Sequence, residues 1–177
     1  MHPKLIICMG VSGSGKSTLA KFMAKKLGVR FLEADDYHPE QNIEKMKSGV
    51  PLTDVDREPW ITALCRLIYS SEETIILAYS GLRMSHRERF RELNKPSLFL
   101  KLDISPDVAT ARLTQRVDHF MPDNLVESQF AAMEDQGVGE HIEVLDGTIP
   151  FDQLKLVALE HASIFLANSR DDIEGMK

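Results

Sequence analysis

Five short apolar runs alternate along the chain with longer segments in which apolar residues recur every three or four positions. The short runs are bounded by polar or turn-forming residues, a pattern typical of strands buried on both faces of a sheet. They predict strands over residues 5–9, 30–34, 74–78, 98–102 and 141–145. The longer segments have the spacing of helices with one buried face, and they predict helices over about 16–27, 39–47, 54–69, 86–93, 106–116, 125–134 and 151–167.

Residues that cap or stop helices stand where this pattern places helix ends. Gly28 follows the first predicted helix as a C-terminal stop, and Thr53 or Asp54 is placed to cap the third. Ser105 followed by Pro106 is a typical helix start. Strands and helices that alternate in this way predict a three-layer α/β fold, in which a five-stranded parallel sheet is flanked by helices on both faces.

The length of 177 residues suits a single domain over residues 1–177. Residues 117–124 are polar and predict an irregular segment, and residues 168–177 predict a flexible tail. Ligands of parallel α/β sheets bind at the carboxyl ends of the strands. We therefore expect the functional residues just after each strand.

Composition excludes some classes of function. The chain has 21 Lys plus Arg and 27 Asp plus Glu, so its formal net charge is −6. Nucleic-acid binding requires a broad basic face, which so acidic a chain is not expected to have. Cys8 and Cys65 lie in apolar runs, which predicts two buried, reduced thiols. The apolar run 5–9 is too short for a signal peptide or a membrane span. These features predict a cytoplasmic protein that binds neither nucleic acid nor membrane.

The first predicted strand is followed by a glycine-rich phosphate-binding loop. The sequence GVSGSGKS over residues 10–17 fits the pattern G-x-x-x-x-G-K-[ST] and lies between a predicted strand and a predicted helix. Backbone N–H groups and the helix N-terminus would hold the phosphates of ATP, Lys16 would reach the β- and γ-phosphates, and Ser17 would ligate Mg²⁺. The predicted ATP-binding residues of this loop are Gly10, Val11, Ser12, Gly13, Ser14, Gly15, Lys16, Ser17 and Thr18.

Other nucleotide-binding classes fit less well. A guanine-reading N-K-x-D sequence is matched only by residues 94–97, which lack the aspartate. Residues 98–103 (LFLKLD) superficially resemble the acid-terminated strand of motor ATPases, but a strand end leading into the next helix is the favoured explanation. The short chain favours a kinase that acts on a small molecule.

The second predicted strand runs at its end into EADDYHP, over residues 33–39. An acid at this place could take the proton of an acceptor hydroxyl as that hydroxyl attacks the γ-phosphorus. The same residues could instead form an Asx-type turn that caps the next helix. The residues alone leave both interpretations open.

Longer motifs in the chain resemble the gluconate kinases, a branch of the P-loop small-molecule kinases that also includes the shikimate kinases. Residues 32–60 contain the elements D-x-x-H-P, N-x-x-K-M-x-x-G-x-P-L and D-R-x-P-W. Residues 112–130 match the family's lid, R-L-x-x-R-x-x-H-F-M followed by L-x-S-Q-F. The resemblance covers about residues 5–160 and implies Mg²⁺- and ATP-dependent phosphorylation of the 6-hydroxyl of D-gluconate. It also suggests a homodimer.

The resemblance implies roles on the acceptor side, in a helical segment over about residues 36–70. Asp35 matches the family's acid and would be the catalytic base, with Asp36 as the alternative for that role or for a Mg²⁺-bound water. His38 would contact the sugar acid. Arg57 is a candidate to bind the substrate carboxylate, because a guanidinium matches a carboxylate bidentately. The alternative for Arg57 is a surface ion pair with a neighbouring acid, and Trp60 is expected in the core.

The lid, over about residues 117–135, would bring further cations to the nucleotide. By similarity to the wider kinase group, Arg112 would pack against adenine and Arg116 would clamp the transferred phosphoryl group as a catalytic residue. His119 would contact the substrate or hold the closed lid. A solvated helix face is the alternative for the two arginines, which lie four residues apart.

One segment departs from the family pattern. Gluconate kinases usually carry C-S-A-L-K-x-x-Y-R after the third strand, whereas residues 79–87 read YSGLRMSHR. Arg83 replaces the lysine, His86 replaces the tyrosine and Arg87 is retained, so that Arg83 and Arg87 are further candidates to bind the substrate. The changed segment leaves open a kinase for another sugar acid or a shikimate-like acceptor. A nucleotide-binding regulator without turnover is the alternative from another class.

Overall fold

A parallel sheet with the first strand at its centre organises the chain. The computed structural model describes residues 3–115 and 123–168, and within them five strands form one sheet: β1 (Leu5–Met9), β2 (Arg30–Glu33), β3 (Ile75–Ala78), β4 (Ser97–Asp103) and β5 (Ile142–Asp146). The strand order is β2-β3-β1-β4-β5, and every neighbouring pair is parallel. This confirms the predicted fold class.

Helices follow the strands along the chain. They are α1 (Lys16–Leu27), α2 (Glu40–Lys47), α3 (Asp54–Ser70), α4 (Met84–Arg91), α5 (Pro106–Thr114), α6 (Asp123–Ala132) and α7 (Phe151–Ala167), and a 3₁₀ turn occupies Ala34–Tyr37. The part of the chain that the structure describes has no helix long and apolar enough to cross a membrane.

Alternate residues of β1 supply the two faces of the core. Ile6 and Cys8 pack with α1 and α7, whereas Leu5, Ile7 and Met9 pack with α3 and α4. Successive side chains of a strand point to opposite faces, so a strand that is apolar throughout is expected between two helical layers. Both cysteines are buried and free, as predicted.

The predicted helix caps are confirmed. Gly28 has φ 65° and donates its N–H to the carbonyl of Ala24 at the end of α1. Thr53 forms a capping box with Asp56 at the start of α3. The hydroxyl of Ser105 accepts a hydrogen bond from the N–H of Val108 at the start of α5.

The structure corrects several predicted boundaries. The second strand ends at Glu33 because the chain enters the 3₁₀ turn, and α4 begins two residues earlier than predicted. Asp123 and Asn124 belong to α6, although the sequence placed them in an irregular segment. Of the predicted tail, residues 169–177 lie outside the described residues. Asn168 is described, and its carbonyl accepts a hydrogen bond of 2.6 Å from the amino group of Lys4.

Candidate active site

A cleft opens at the carboxyl edge of the sheet, between the glycine-rich loop, the segment after β2, the segment after β3 and α6. About 800 Å³ of space lies between these walls when the open mouth of the cleft is included. Polar side chains from all four of these regions line it, among them Ser12, Lys16, Asp35, His38, Arg57, Ser80, Arg83, His86, Ser128 and Gln129.

The glycine-rich loop has the geometry of a phosphate cradle. Gly10 has φ 147°, and a Cβ there would lie 2.9 Å from both the carbonyl oxygen of Leu102 and the hydroxyl of Ser14. Gly15, with φ 96°, precedes α1, and no side chain among the described residues caps that helix. The hydroxyl of Ser14 is buried and has no hydrogen-bond partner in the same part of the chain. A helix N-terminus without a side-chain cap and an unpaired buried hydroxyl fit a bound triphosphate.

Glu33 is a candidate that sequence reasoning missed. It is the last residue of β2, and its carboxylate lies beside the hydroxyl of Ser17. Burial raises the pKa of Glu33, a shift that the Ser17 hydroxyl opposes. One of its carboxyl oxygens is buried and has no hydrogen-bond partner among the described residues. A hydroxyl beside a half-buried carboxylate fits Mg²⁺, which needs only one or two protein oxygens when phosphates and water complete its shell.

Asp35 and His38 lie on the wall that faces the glycine-rich loop. The 3₁₀ turn after β2 brings the exposed carboxylate of Asp35 to the cleft, whereas Asp36 is not among the described residues that line it. The Nε2 atom of His38 lies 3.9 Å from Asp35 Oδ1. Burial lowers the pKa of His38 despite the nearby Asp35 carboxylate. The ring is therefore neutral at neutral pH and can accept or donate a hydrogen bond.

The ring of His38 stacks on Trp60, with 3.8 Å between centroids and 20° between planes. Trp60 is buried and donates its indole N–H to the carbonyl of Ala34 at 2.7 Å. It therefore belongs to the core, as expected, and its inner position fixes the ring of His38 on the cleft wall. The edge of Trp60 also lines the cleft.

Arg57 and Arg83 line the cleft from two different elements. Arg57, in the first turns of α3, donates a hydrogen bond of 3.3 Å to Asp54 Oδ1, so the ion pair raised as its alternative is present. Arg83 precedes α4, and its Nη1 lies 3.5 Å from Glu134 Oε1. Both side chains still face the cleft.

Arg87 is a correction to the predicted site. Its side chain is fully buried and forms a bidentate ion pair with Glu140, at 2.7 and 2.9 Å. Its remaining N–H groups donate to four backbone carbonyls, those of Gly81, Leu82, Glu134 and Asp135. The guanidinium therefore joins the segment after β3 to the segment after α6 and does not reach the cleft.

On the nucleotide side, Arg112 lies against the glycine-rich loop. Its Nη2 donates to the carbonyl of Gly147 at 2.7 Å, and its Nη1 lies 3.5 and 3.4 Å from the carbonyls of Gly13 and Ser14. Arg116 and His119 lie outside the described residues, as does the first part of the predicted lid, residues 117–122.

Gln129 of α6, to which sequence reasoning gave no role, reaches across to the loop. Its Oε1 accepts a hydrogen bond of 2.7 Å from the N–H of Ser12, and its Nε2 donates to the Ser12 hydroxyl at 3.1 Å. The only signal for it in the sequence is its place in L-x-S-Q-F. The described part of the predicted lid therefore touches the phosphate cradle directly.

Comparison with known proteins agrees with this geometry. Residues 5–137 match the family model of an AAA domain. The chain is 40% identical over 151 residues to a gluconokinase of Gluconobacter oxydans, covering 83% of this chain and 84% of that protein. It is 40% identical over 137 residues to the thermosensitive gluconokinase of Escherichia coli, covering 76% and 73%.

Solved structures give the same picture. An unliganded sugar kinase from Janibacter superposes with a TM-score of 0.82 at 37% identity, over 93% of this chain and 94% of that one. A gluconokinase from Sinorhizobium meliloti superposes with a TM-score of 0.80 at 34% identity, over 94% and 99%. A shikimate kinase from Bacteroides thetaiotaomicron, at 18% identity and a TM-score of 0.65, shares the fold.

Proposed function

This chain belongs to the gluconokinase family, and from that premise we propose that it transfers the γ-phosphoryl group of ATP to the 6-hydroxyl of D-gluconate, giving 6-phosphogluconate and ADP. The observation that carries the proposal is one cleft with two unlike walls. One wall presents Ser12 and Lys16 of the phosphate cradle, and the other presents Asp35, His38 and Arg57. A phosphoryl donor and an anionic, hydroxylated acceptor could meet between them.

The phosphate cradle holds the donor. The N-terminus of α1 and N–H groups of the glycine-rich loop bind the phosphates, and the Lys16 ammonium stabilises the charge that spreads over the γ-phosphoryl oxygens during transfer. Ser17, with Glu33 behind it, would hold Mg²⁺, which when bound neutralises charge on the β- and γ-phosphates. Arg112, which already touches the loop, is proposed to contact the adenine side of ATP.

Asp35 is proposed as the general base. As the acceptor hydroxyl attacks the γ-phosphorus, its proton passes to the Asp35 carboxylate, the new P–O bond forms, and the bond to the β,γ-bridging oxygen of ATP breaks to release ADP. An exposed carboxylate two residues beyond β2 is accessible to a substrate hydroxyl. The stacked ring of His38 would position a hydroxyl of the sugar acid.

We assign the binding of the acceptor carboxylate to Arg57 and Arg83. Arg87, the third predicted arginine, is no longer included. We retain residues 36–70 as the acceptor-binding segment and residues 117–135 as the lid. Arg116, as the phosphoryl clamp, and His119 remain predictions that rest on the resemblance alone. The homodimer also remains a prediction that rests on the resemblance alone.

Coupled measurement of ADP release from MgATP tests the function. D-gluconate is compared with other aldonates, shikimate and nucleoside monophosphates as separate acceptors, and Lys16→Ala serves as the inactive control. Selective turnover with gluconate is the expected result. Turnover only with another acid would keep the phosphoryl-transfer chemistry and overturn the assigned acceptor, and ATP binding without turnover would indicate a regulator.

A further inference from the structure

Three basic side chains of the cleft wall converge on one carboxylate oxygen. Asp54 Oδ1 lies 3.3 Å from Arg57 Nη1, 3.8 Å from Arg83 Nε and 3.7 Å from His86 Nε2. Arg57, Arg83 and His86 all line the cleft, whereas Asp54 is not among the described residues that do. Asp54 therefore holds the three side chains from outside the cleft, and they form a unit that we call the basic cluster.

We propose that His86 is an acceptor-binding residue that completes, with Arg57 and Arg83, the subsite for the carboxylate of the sugar acid, and that it takes up a proton when the acid binds. The inference rests on the proposed function. It adds a binding residue and a proton to that function.

The charge balance of the basic cluster requires a third cation. The guanidinium groups of Arg57 and Arg83 are already balanced by two carboxylates, because Asp54 contacts both and Glu134 also contacts Arg83. With Asp54 and Glu134 counted, an incoming carboxylate would therefore meet a group of side chains with no net charge while His86 is neutral. A proton on His86 supplies the missing positive charge on the side chain that lies next to the bound anion.

The basic cluster also has donor capacity that the protein leaves unused. Arg83 Nε is buried and makes no hydrogen bond within the described residues, since its nearest acidic neighbour stands at ion-pair distance only. A buried guanidinium N–H without a partner is costly, and a ligand oxygen would remove that cost. This observation is independent of the charge count and also indicates an anionic ligand.

His86 is poised to change its protonation. The charged groups that face it are Asp54, Arg57 and Glu58 of α3 and Arg83 before α4. Burial lowers the pKa of His86, and Arg57 lowers it further, so the ring is neutral at neutral pH until an anion binds beside it. A carboxylate bound beside it would raise that pKa again, because an opposite charge favours the protonated form.

A side chain at position 86 that can change its protonation near neutral pH is present in this chain and absent from the usual family pattern. That pattern has tyrosine where His86 stands, and a phenol keeps its proton up to a pH of about 10. A tyrosine could donate a hydrogen bond to the acid without any dependence on pH near neutrality. The histidine makes the affinity for the acid depend on pH.

The test is the pH dependence of KM for gluconate in the full-length enzyme, compared for the wild type, His86→Gln and His86→Tyr. Affinity is constant below the pKa of free His86 and falls at up to about tenfold per pH unit between the free and bound pKa values. We expect the wild-type KM to rise in this way with pH. Both variants should give a nearly flat profile, and His86→Gln should have a KM about tenfold higher at the acid end.

Three controls isolate the acceptor carboxylate. KM for ATP should not follow the same pH profile, and inhibition by D-glucitol, the neutral polyol that lacks the carboxylate, should be equal in wild type and His86→Gln. His161→Gln, which changes a histidine outside the cleft, should retain the wild-type profile. Thermal unfolding verifies that each variant is folded.

The outcomes separate this inference from the proposed function. Gluconate turnover with a pH-independent KM, or a wild-type profile that survives in His86→Gln, would overturn the role of His86 and leave the function standing. In the second case His38→Gln would show whether the other histidine of the cleft titrates. Absence of gluconate turnover by the wild type at every pH would overturn both.

Discussion

At the scale of the residue, the two adjacent carboxylates after β2 differ in whether they face the cleft. Asp35 lines the cleft, and Asp36 is not among its described lining residues, although both are exposed. We expect Asp35→Asn to lower kcat by about 100-fold or more, because general-base catalysis contributes roughly 10²–10⁴-fold. The Kd for ATP should be unchanged. Initial rates at saturating ATP and gluconate, with ATP affinity measured by calorimetry, test this.

Asp36→Asn is the matched control, since it makes the same chemical change one position away. It should lower kcat by less than about threefold, as expected of a surface substitution that leaves the site intact. If Asp36→Asn abolished turnover while Asp35→Asn kept the wild-type kcat, the base would be Asp36, the alternative that the sequence left open.

A site residue could be predicted only where its motif alone determines which way the side chain points. The glycine-rich loop could be predicted residue by residue, because its chemistry needs those residue types at that spacing. Arg87 could not, because its motif preserves an arginine without showing that Glu140, 53 positions away, buries it. Glu33 was missed because its place in the sequence indicates only the end of a strand. Gln129 was missed because its partner, Ser12, lies 117 positions away. Contacts of that range leave no local signal in a sequence.

At the scale of the element, local patterns predicted the boundaries to within two residues and missed one that a distant residue sets. The predicted bounds of β1 and α1 agree with the structure because apolar spacing and the Gly28 cap are local. The start of α4 differs, and there the Met84 N–H donates to the side chain of Glu134 at 2.6 Å. A cap supplied from 50 positions away cannot be identified from neighbouring residues.

The C-terminal end of α7 depends on one buried lysine. Lys4 Nζ donates to the carbonyls of Phe165, Leu166 and Asn168 at 2.7, 3.1 and 2.6 Å. Helix ends leave such carbonyls without intrahelical partners. We expect Lys4→Met to lower the free energy of unfolding by about 2–3 kcal/mol, the usual contribution of hydrogen bonds to a charged group. Urea unfolding at pH 7 measures this.

Lys25→Met, on the exposed side of α1, is the control and should change the same free energy by less than about 0.5 kcal/mol. Equal unfolding midpoints for Lys4→Met and the wild type would mean that the end of α7 is held by its apolar face alone. Because Lys4 precedes the first strand, its contacts also fix where the chain enters the sheet.

At the scale of the whole molecule, the fold class could be predicted but the strand order could not. Parallel strands joined by helices determine a three-layer architecture, and the glycine-rich loop determines which strand carries the phosphate site. The order β2-β3-β1-β4-β5 depends on which helices cover which face, and that is decided by packing between distant elements. The acceptor wall results from this order, because it places the segment after β3 between those after β1 and β2.

The buried pair Arg87–Glu140 is one of the charged contacts that join the acceptor wall to the segment after α6. Burial alone would raise the pKa of Glu140, but hydrogen bonds from Arg87 and from the Gly137 N–H together hold it below the ordinary value. A carboxylate whose pKa is lower in the folded state stabilises the fold above the unfolded pKa of about 4.3. That contribution is lost as pH falls through the folded pKa.

Glu140→Gln should therefore lower the free energy of unfolding at pH 7 by about 3–5 kcal/mol, because it leaves the Arg87 charge buried without its counter-ion. The difference from the wild type should shrink as pH falls below about 4, where the wild-type carboxylate also becomes protonated. Urea unfolding between pH 7 and pH 3 tests both statements, with the exposed Glu160→Gln as control. A difference that stays constant over this range would show that Glu140 acts through its shape and hydrogen bonds and that its charge contributes nothing to the link between the acceptor wall and α6.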